Sequence, residues 1–285
     1  PRRSRGPARR PARPGPADEA RAPHRLYGFV SAAEAFSVGR WLDAARAELA
    51  AAWADGRLPV VVGGTGLYFQ ALTVGLSAIP DVPADVRAAA RALLDRLGPA
   101  GLHVRLAQRD PAGAVRLRPT DSQRIVRAWE VLEATGRPLS HWQATTVPGP
   151  LARGALRLLL APPRAEVYAR CEARLGRMVA AGALDEVRAL DRLGLPAQRP
   201  AMRALGVPHL LRHVRGEVGL DEALDAACTG TRRYAKRQMT WFRHRMADWH
   251  RLEQVDRAAP AALIDGLLRP AWTHPLWFDR HTGPG

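Results

Sequence analysis

The segment that decides the fold is Leu58-Pro-Val-Val-Val-Gly-Gly-Thr-Gly66. Its apolar run, residues 58–62, predicts a short strand that is buried in the protein. The glycines after it predict a tight turn, and the following residues predict a helix to about Gly75. A strand, a glycine-rich turn and a helix in this order are typical of an α/β domain with a parallel sheet.

On the N-terminal side of this segment, the sequence predicts a helix that Ser37 caps and that ends near Asp55. Gly56 suits the exit from its C-terminal end. Apolar residues recur along it at helical spacing, namely Trp41, Ala45, Leu49 and Ala52. Residues 1–16 contain only proline, arginine and small residues, so we expect a disordered tail there.

Residues 81–147 show helical patterns and no strand pattern, which indicates a helical insertion. The predicted helices cover about 84–97 with an end at Gly98, about 100–109, and from Thr120 or Asp121 to just before Gly136. The core side of the third helix is predicted to consist of Ile125, Val126, Trp129 and Leu132. Pro148-Gly149-Pro150 closes the insertion.

The rest of the sequence returns to the α/β pattern. The predicted elements are a buried strand at 156–161, a long helix at about 165–181, short helices to about 215 and a long helix at about 221–245. We therefore expect an α/β core at 17–80 and 148–260, interrupted by the insertion. A C-terminal tail is expected at 261–285.

Composition is that of a globular protein with a surplus of positive charge. Of the 285 residues, 47% are hydrophobic and 25% are charged, which are ordinary values for a globular domain. No apolar run approaches the roughly 20 residues of a membrane span, and no secretory signal is visible. The two cysteines are too few for a disulfide framework, so we expect a reducing cytoplasm. The net charge of +16 favours a nucleic acid partner, with high solubility alone as the alternative.

Lys236 is the only lysine in the chain. A Walker A phosphate-binding loop requires a lysine between a glycine and a serine or threonine. Lys236 instead follows Ala235. The sequence therefore contains no Walker A loop.

Four segments carry a specific pattern in their order and spacing. They are Leu58-Pro-Val-Val-Val-Gly-Gly-Thr-Gly-Leu-Tyr68, Asp121-Ser-Gln-Arg-Ile-Val-Arg-Ala-Trp-Glu-Val131, Met202-Arg-Ala-Leu-Gly-Val207 and Thr231-Arg-Arg-Tyr-Ala-Lys-Arg-Gln-Met-Thr-Trp-Phe-Arg243. Together they resemble the tRNA dimethylallyltransferase family from about residue 16 to residue 255. The third segment departs from a Gly-Tyr pair that is common in the family, and the fourth is the most specific.

The resemblance implies a P-loop-NTPase-like α/β core with a parallel sheet, from which the first strand and the P-loop are missing in this sequence. It also implies transfer of a dimethylallyl group from dimethylallyl diphosphate to N6 of the adenine next to the anticodon of tRNA. Mg²⁺ would neutralise the diphosphate. An aspartate in an Asp-Ser motif near the family's N-terminus would take the N6 proton. We expect a monomer.

The resemblance places Thr65 at the reaction centre, with Gly63 and Gly64 beside the diphosphate. Glycines let the backbone approach a ligand, and the N-terminus of the helix after them favours anions. Arg174 matches the family arginine that binds the leaving pyrophosphate. A guanidinium offers paired donors to phosphate oxygens and stabilises charge that develops in the transition state. Considered alone, the turn is also compatible with an ordinary connection between a strand and a helix.

The resemblance also assigns contacts with the anticodon stem-loop. The matching positions are Arg87, Gln123, Arg124, Ile125, Val126, Arg127, Arg203, Gly206, Arg233, Lys236, Arg237, Gln238, Thr240 and Arg243. Amide and guanidinium groups hold phosphates or read base edges, and aromatic side chains between cations stack on bases or pack. The alternative is a set of solvated polar faces. Asp121 belongs to the insertion segment, so we do not assign it as the catalytic base.

The absent P-loop and aspartate base lead to the hypothesis that the sequence is truncated or frame-shifted upstream. Two alternatives to the transferase function stay open. One is a tRNA-binding remnant without catalysis, and the other is a prenyltransferase for free adenine nucleotides. The helical insertion argues against the second, because a small substrate needs no anticodon clamp.

Overall fold

The computed structural model of the protein describes residues 13–34 and 36–253. Its helices are α1 (Pro16–Arg21), α2 (Val38–Ala54), α3 (Gly66–Thr73), α4 (Ala84–Arg109), α5 (Pro111–Ala114), α6 (Ser122–Thr135), α7 (Leu139–Gln143), α8 (Arg164–Ala180), α9 (Ala183–Asp191), α10 (Val207–Val214) and α11 (Leu220–Arg245). Its strands are β1 (Gly75–Ser77), β2 (Thr146–Pro148), β3 (Leu158–Leu160) and β4 (His250–Leu252). The predicted tails lie outside the described residues, except for residues 13–16, of which Pro16 begins α1.

The chain forms two compact units. The insertion unit is Gln70–Arg153, and the discontinuous unit comprises the residues up to Phe69 and from Gly154 onward. The insertion predicted at 81–147 therefore lies within a somewhat longer unit.

Helices α4 and α6 form the frame of the insertion unit. α4 bends at Gly98, which has φ 67° and ψ 171° and precedes Pro99, so the prediction of two helices that meet there is confirmed. α6 starts after Asp121, whose carboxylate accepts a hydrogen bond from the backbone N–H of Arg124 at 3.2 Å. It ends at Gly136, whose φ of 67° is the left-handed conformation that glycine adopts without strain.

The core of the insertion unit lies between these two helices. Its buried members are Ala90, Leu102, Leu106, Ala114, Ile125, Val126, Ala128, Trp129 and Leu132. All four residues predicted for the core side of α6 are among them. Full burial of a leucine or isoleucine side chain contributes about 1.5–3 kcal/mol, so this cluster is the main source of stability in the unit.

A short antiparallel sheet in the insertion unit corrects two predictions. β1 pairs with β2, with Gly75 opposite Pro148 and Ser77 opposite Thr146. α3 therefore ends at Thr73 before the predicted limit, and the expectation of helices alone to residue 147 is wrong. Strands of three residues are too short to show a period of two in the sequence.

In the discontinuous unit, β3 and β4 form a parallel pair. Leu158 lies opposite His250, and Leu160 lies opposite Leu252. The strand predicted at 156–161 is confirmed in its central residues, but its predicted burial is not, because Leu160 is 56% exposed and only Leu159 of the three is buried. β4 was not predicted. Parallel pairing between segments so far apart in sequence is typical of α/β proteins.

Apart from α1, which was not predicted, the helices that lie wholly in the discontinuous unit follow their predicted positions. α2 begins after Ser37, whose hydroxyl accepts a hydrogen bond from the backbone N–H of Arg40 at 3.2 Å. The apolar side of α8 is half-buried and consists of Val167, Cys171, Leu175 and Met178. α9, α10 and α11 enclose a small core formed by Val187, Met202, Leu210, Leu211 and Ala223.

The segment at 58–62 does not form the predicted buried strand. It has no regular secondary structure and pairs with none of the described residues. Val60 and Val62 are 76% and 77% exposed. A strand depends on a neighbouring strand for its backbone hydrogen bonds, and the described part of the chain provides none at this position.

Candidate diphosphate site and nucleic-acid interface

The glycine-rich turn leads directly into α3. The backbone carbonyl of Thr65 accepts hydrogen bonds from the N–H groups of Tyr68 at 3.0 Å and Phe69 at 3.3 Å, which places Thr65 at the start of the helix. The Thr65 side chain is exposed. The first N–H groups of a helix have no partner within it, so this end presents donors and an exposed hydroxyl. Such an arrangement can bind an anion.

Helix α11 holds the turn from one side. The side-chain amide Nε2 of Gln238 donates a hydrogen bond to the backbone carbonyl of Gly64 at 2.6 Å. The indole of Trp241 lies against Gly66 so closely that a Cβ there would be 2.2 Å from its Cδ1 and Nε1 atoms. Gly66 is therefore required by close packing, and the two residues on either side of Thr65 are both fixed by α11.

Aromatic rings support the start of α3 from its other sides. Tyr68 stacks on Trp41 with centroids 4.2 Å apart and an interplanar angle of 19°. Phe69 meets Trp249 edge to face at 5.4 Å. Burial raises the pKa of the Tyr68 hydroxyl above its ordinary value, so this group stays neutral at physiological pH. Sequence reasoning did not assign these contacts, although Tyr68 lies inside the quoted motif.

Arg174 lies exposed on α8. One turn earlier, Arg170 forms an ion pair with Glu166. α8 is joined to α11 by an ion pair between Arg232 and Glu172. Helix α11 thus contacts both the turn around Thr65 and the helix that carries Arg174. That Thr65 and Arg174 bind one anion together stays a prediction.

The C-terminal half of α11 has two different sides. Its exposed residues include Arg233, Lys236, Arg237, Thr240 and Arg243. Its buried or half-buried residues include Tyr234, Ala235, Gln238 and Trp241. At 3.6 residues per turn, residues 236, 240 and 243 share one side and residues 234, 238 and 241 share another. One side therefore supports the glycine-rich turn while the other presents cations to solvent.

The predicted tRNA contacts in the insertion unit are of two kinds. Gln123 and Arg124 are exposed at the start of α6, and Arg124 also pairs with Asp121 at 2.9 Å. Ile125 and Val126 are 0% and 5% exposed and belong to the core, so their side chains are not available to a ligand. Asp121 caps the helix, and its exclusion as the catalytic base stays a prediction.

The remaining predicted contacts occupy separate elements. Arg127 of α6 is half-buried and lies 3.5 Å from Glu130, while Arg87 is exposed on α4. In the discontinuous unit, Arg203 is exposed ahead of α10, and Gly206 precedes this helix with φ 87°. Gly206 is buried, so its role is to shape the turn that carries Arg203.

The sequence matches the IPP transferase family over residues 11–245. The chain belongs to this family. It is 56% identical over 247 residues to the tRNA dimethylallyltransferase of Rhodospirillum centenum. The aligned region covers 86% of this chain and 78% of that relative. The resemblance drawn from the four sequence segments is thereby confirmed.

Solved structures agree with this membership. The full-length tRNA isopentenylpyrophosphate transferase of Bacillus halodurans is similar with a TM-score of 0.60 and 29% identity, over 91% of this chain and 81% of that one. A eukaryotic dimethylallyltransferase acting on tRNA is similar in fold with a TM-score of 0.75 and 21% identity, over 92% and 68%. These similar structures confirm the predicted α/β class at a coarse level. Among the described residues of this chain, helices dominate and the sheets are small.

Two further observations concern metal and membrane. Between residues 13 and 253, with residue 35 left aside, no group of three or more His, Cys, Asp or Glu side chains is placed to hold a metal ion. Within these same described residues, no helix is both long enough and apolar enough to cross a bilayer.

Proposed function

We propose that the protein transfers the dimethylallyl group of dimethylallyl diphosphate to N6 of the adenine next to the anticodon of tRNA. The N6 lone pair forms a bond to C1 of the dimethylallyl group while the bond from C1 to the bridging oxygen breaks. The bonding electrons leave with pyrophosphate, and the proton that N6 loses passes to solvent water. The observation that carries this proposal is the exposed Thr65 at the start of α3, in a turn fixed by the same helix that carries a row of exposed cations.

The diphosphate is proposed to bind at this turn. The Thr65 hydroxyl and the first N–H groups of α3 are donors suited to phosphate oxygens. Arg174 supplies the positive charge. Because negative charge grows on the departing pyrophosphate, donors and a cation placed there stabilise the transition state more than the bound substrate.

The tRNA is proposed to bind through exposed basic and amide side chains. On α11 these are Arg233, Lys236, Arg237, Thr240 and Arg243, and elsewhere they are Arg87, Gln123, Arg124 and Arg203. Cations of this kind hold phosphates and make binding dependent on salt. The target adenine has to leave its stack to reach the reacting carbon. We infer that the insertion unit serves this recognition.

Mg²⁺ is proposed as a partner of the diphosphate itself. Mg²⁺ keeps several waters and is held in phosphate sites by one or two protein oxygens together with substrate phosphates. The ion would neutralise charge on the diphosphate, and no other step is assigned to it.

A transfer assay tests the proposal directly. The chain is incubated with labelled dimethylallyl diphosphate, Mg²⁺ and an anticodon stem-loop RNA, with AMP as the competing acceptor. We expect label on the RNA and none on AMP. Replacing Thr65 by alanine should reduce the rate about 10²-fold or more, as loss of a donor to developing charge does elsewhere.

Two outcomes would contradict the proposal. Salt-dependent RNA binding with no labelled product would favour a tRNA-binding remnant, and transfer to AMP at equal rate would favour a nucleotide prenyltransferase. A matched variant with alanine at Thr145, an exposed residue of the insertion unit that is assigned to no site, should keep the wild-type rate.

A further inference from the structure

Gln238 is placed differently from its neighbours in the predicted tRNA-binding segment. Lys236, Arg237 and Thr240 are exposed, whereas Gln238 is half-buried. Its Nε2 atom lies 2.6 Å from the Gly64 carbonyl oxygen. A Cβ added at Gly64 would be 2.3 Å from the same Nε2 atom. The glutamine therefore fills the space that the absent side chain of Gly64 leaves open.

This contact fixes the direction of one peptide group. The Gly64 carbonyl and the Thr65 N–H belong to the same peptide, and cis bonds are absent among the described residues. In a trans peptide, the carbonyl and the N–H point in opposite directions. Because Gln238 draws the Gly64 carbonyl toward α11, the Thr65 N–H is turned away from α11.

The chemistry of the amide suits this task. A carbonyl oxygen that rotated toward a bound diphosphate would repel it, whereas the N–H of the same peptide attracts it. A neutral amide holds the carbonyl through one donated hydrogen bond. A glutamate at this position would place a carboxylate against the Gly64 carbonyl and could not donate while ionised.

We propose that Gln238 is a positioning residue for the diphosphate-binding turn rather than a residue that reads tRNA. It keeps the Gly64–Thr65 peptide in the orientation that offers the Thr65 N–H and hydroxyl to the diphosphate. This inference rests on the proposed function of the turn. The fourth sequence segment then has two functions, because residues two apart on a helix point to nearly opposite sides. Gln238 positions the turn, and the exposed cations bind RNA.

Binding of inorganic pyrophosphate and of an anticodon stem-loop RNA, measured separately by calorimetry, tests this division. Gln238→Met keeps the length of the side chain and removes the donor. We expect pyrophosphate binding to weaken about 3- to 10-fold, in line with the loss of one hydrogen bond between neutral groups, and RNA binding to change less than about twofold.

The matched control is Lys236→Met, two residues away on the exposed side. This variant should weaken RNA binding and reduce its salt dependence, with less than about a twofold change in pyrophosphate binding. Deuterium exchange of residues 63–69 gives an independent readout. The exchange should accelerate in Gln238→Met alone, while both variants keep the wild-type melting temperature within a few degrees.

The outcomes separate this inference from the function on which it rests. If wild type binds pyrophosphate and Gln238→Met binds it equally well, the positioning role is wrong and the proposed function stands. If Gln238→Met weakens RNA binding more than pyrophosphate binding, Gln238 is an RNA contact and the inference is overturned. If wild type binds no pyrophosphate, the proposed function fails and the inference fails with it.

Discussion

The insertion unit and the discontinuous unit are stabilised in different ways. The insertion unit packs α4 against α6 around a continuous core in which Leu102, Leu106 and Ile125 are fully buried. The discontinuous unit relies on contacts between distant segments, such as the hydrogen bond from Gln238 to Gly64 across 174 residues. The proposed RNA-binding helix α6 therefore packs on a core formed entirely by residues of its own unit. The proposed diphosphate turn depends instead on contacts from distant parts of the chain, with α11 on one side and the rings of Trp41 and Trp249 on the others.

The largest expected effect is on the core of the insertion unit. Leu106→Ala removes a side chain that is 0% exposed, and should lower the free energy of unfolding by about 2–5 kcal/mol through lost burial and a cavity. The control is Val104→Ala on the same helix, where the valine is 58% exposed and the change should stay within about 0.5 kcal/mol. Urea unfolding of both variants measures the difference, and equal losses would show that this core does not stabilise the unit.

A smaller effect is expected where α11 packs on the turn. Gly66→Ala would place a methyl group 2.2 Å from the Trp241 ring, so overpacking should cost about 1–3 kcal/mol. In contrast, Gly176→Ala on α8 meets no atom within 4 Å and should stabilise the protein by about 0.5–1 kcal/mol, as alanine does in a helix interior. Thermal unfolding distinguishes the two signs. A stabilising Gly66→Ala would refute the close packing between α11 and the turn.

The helix caps provide the next test. Asp121→Ala removes the acceptor for the Arg124 N–H at 3.2 Å and should cost about 1 kcal/mol. Asp121→Asn keeps a good cap and should change the free energy of unfolding by a few tenths of a kcal/mol. It should also leave dimethylallyl transfer unchanged, because Asp121 is assigned a structural role. A large loss of transfer rate in Asp121→Asn, with stability intact, would instead make this carboxylate catalytic.

The smallest effect concerns the pH dependence of the discontinuous unit. Burial raises the pKa of Tyr68, so above about pH 10 the unfolded chain loses this proton before the folded protein does. Wild type should therefore lose stability slightly faster than Tyr68→Phe as the pH rises through that range, with no difference near pH 7. Chemical unfolding at several pH values checks this, and parallel curves would indicate a Tyr68 hydroxyl in free contact with water.

Sequence reasoning was most successful where structure depends on neighbours in the chain. Ser37, Gly98, Asp121 and Gly136 begin or end helices through local hydrogen bonds and backbone angles, so their patterns could be recognised. The exposure of residues 58–62 could not be predicted from the sequence. An apolar run indicates a segment suited to a buried strand, but it does not show whether a neighbouring strand is present to pair with it.

The candidate site was predictable only as a set of residues. Thr65, Arg174 and the cations of α11 could be named from their motifs. The contact between Gln238 and Gly64 could not, because nothing in the fourth segment distinguishes an amide that holds a distant carbonyl from one that reads RNA. The spacing of apolar residues along α6 predicted that Ile125 and Val126 are buried. This prediction should have excluded their side chains from the list of RNA contacts, although both lie in an RNA-binding motif.

The most direct test of a diphosphate site that involves Arg174 is a titration of inorganic pyrophosphate into Arg174→Gln and Arg170→Gln. Both arginines lie exposed one turn apart on α8, and Arg170 is already paired with Glu166. We expect at least about a 10-fold loss of pyrophosphate affinity in Arg174→Gln and nearly wild-type affinity in Arg170→Gln. Equal affinities in the two variants would contradict it, because Arg174 would then act only as one charge among many.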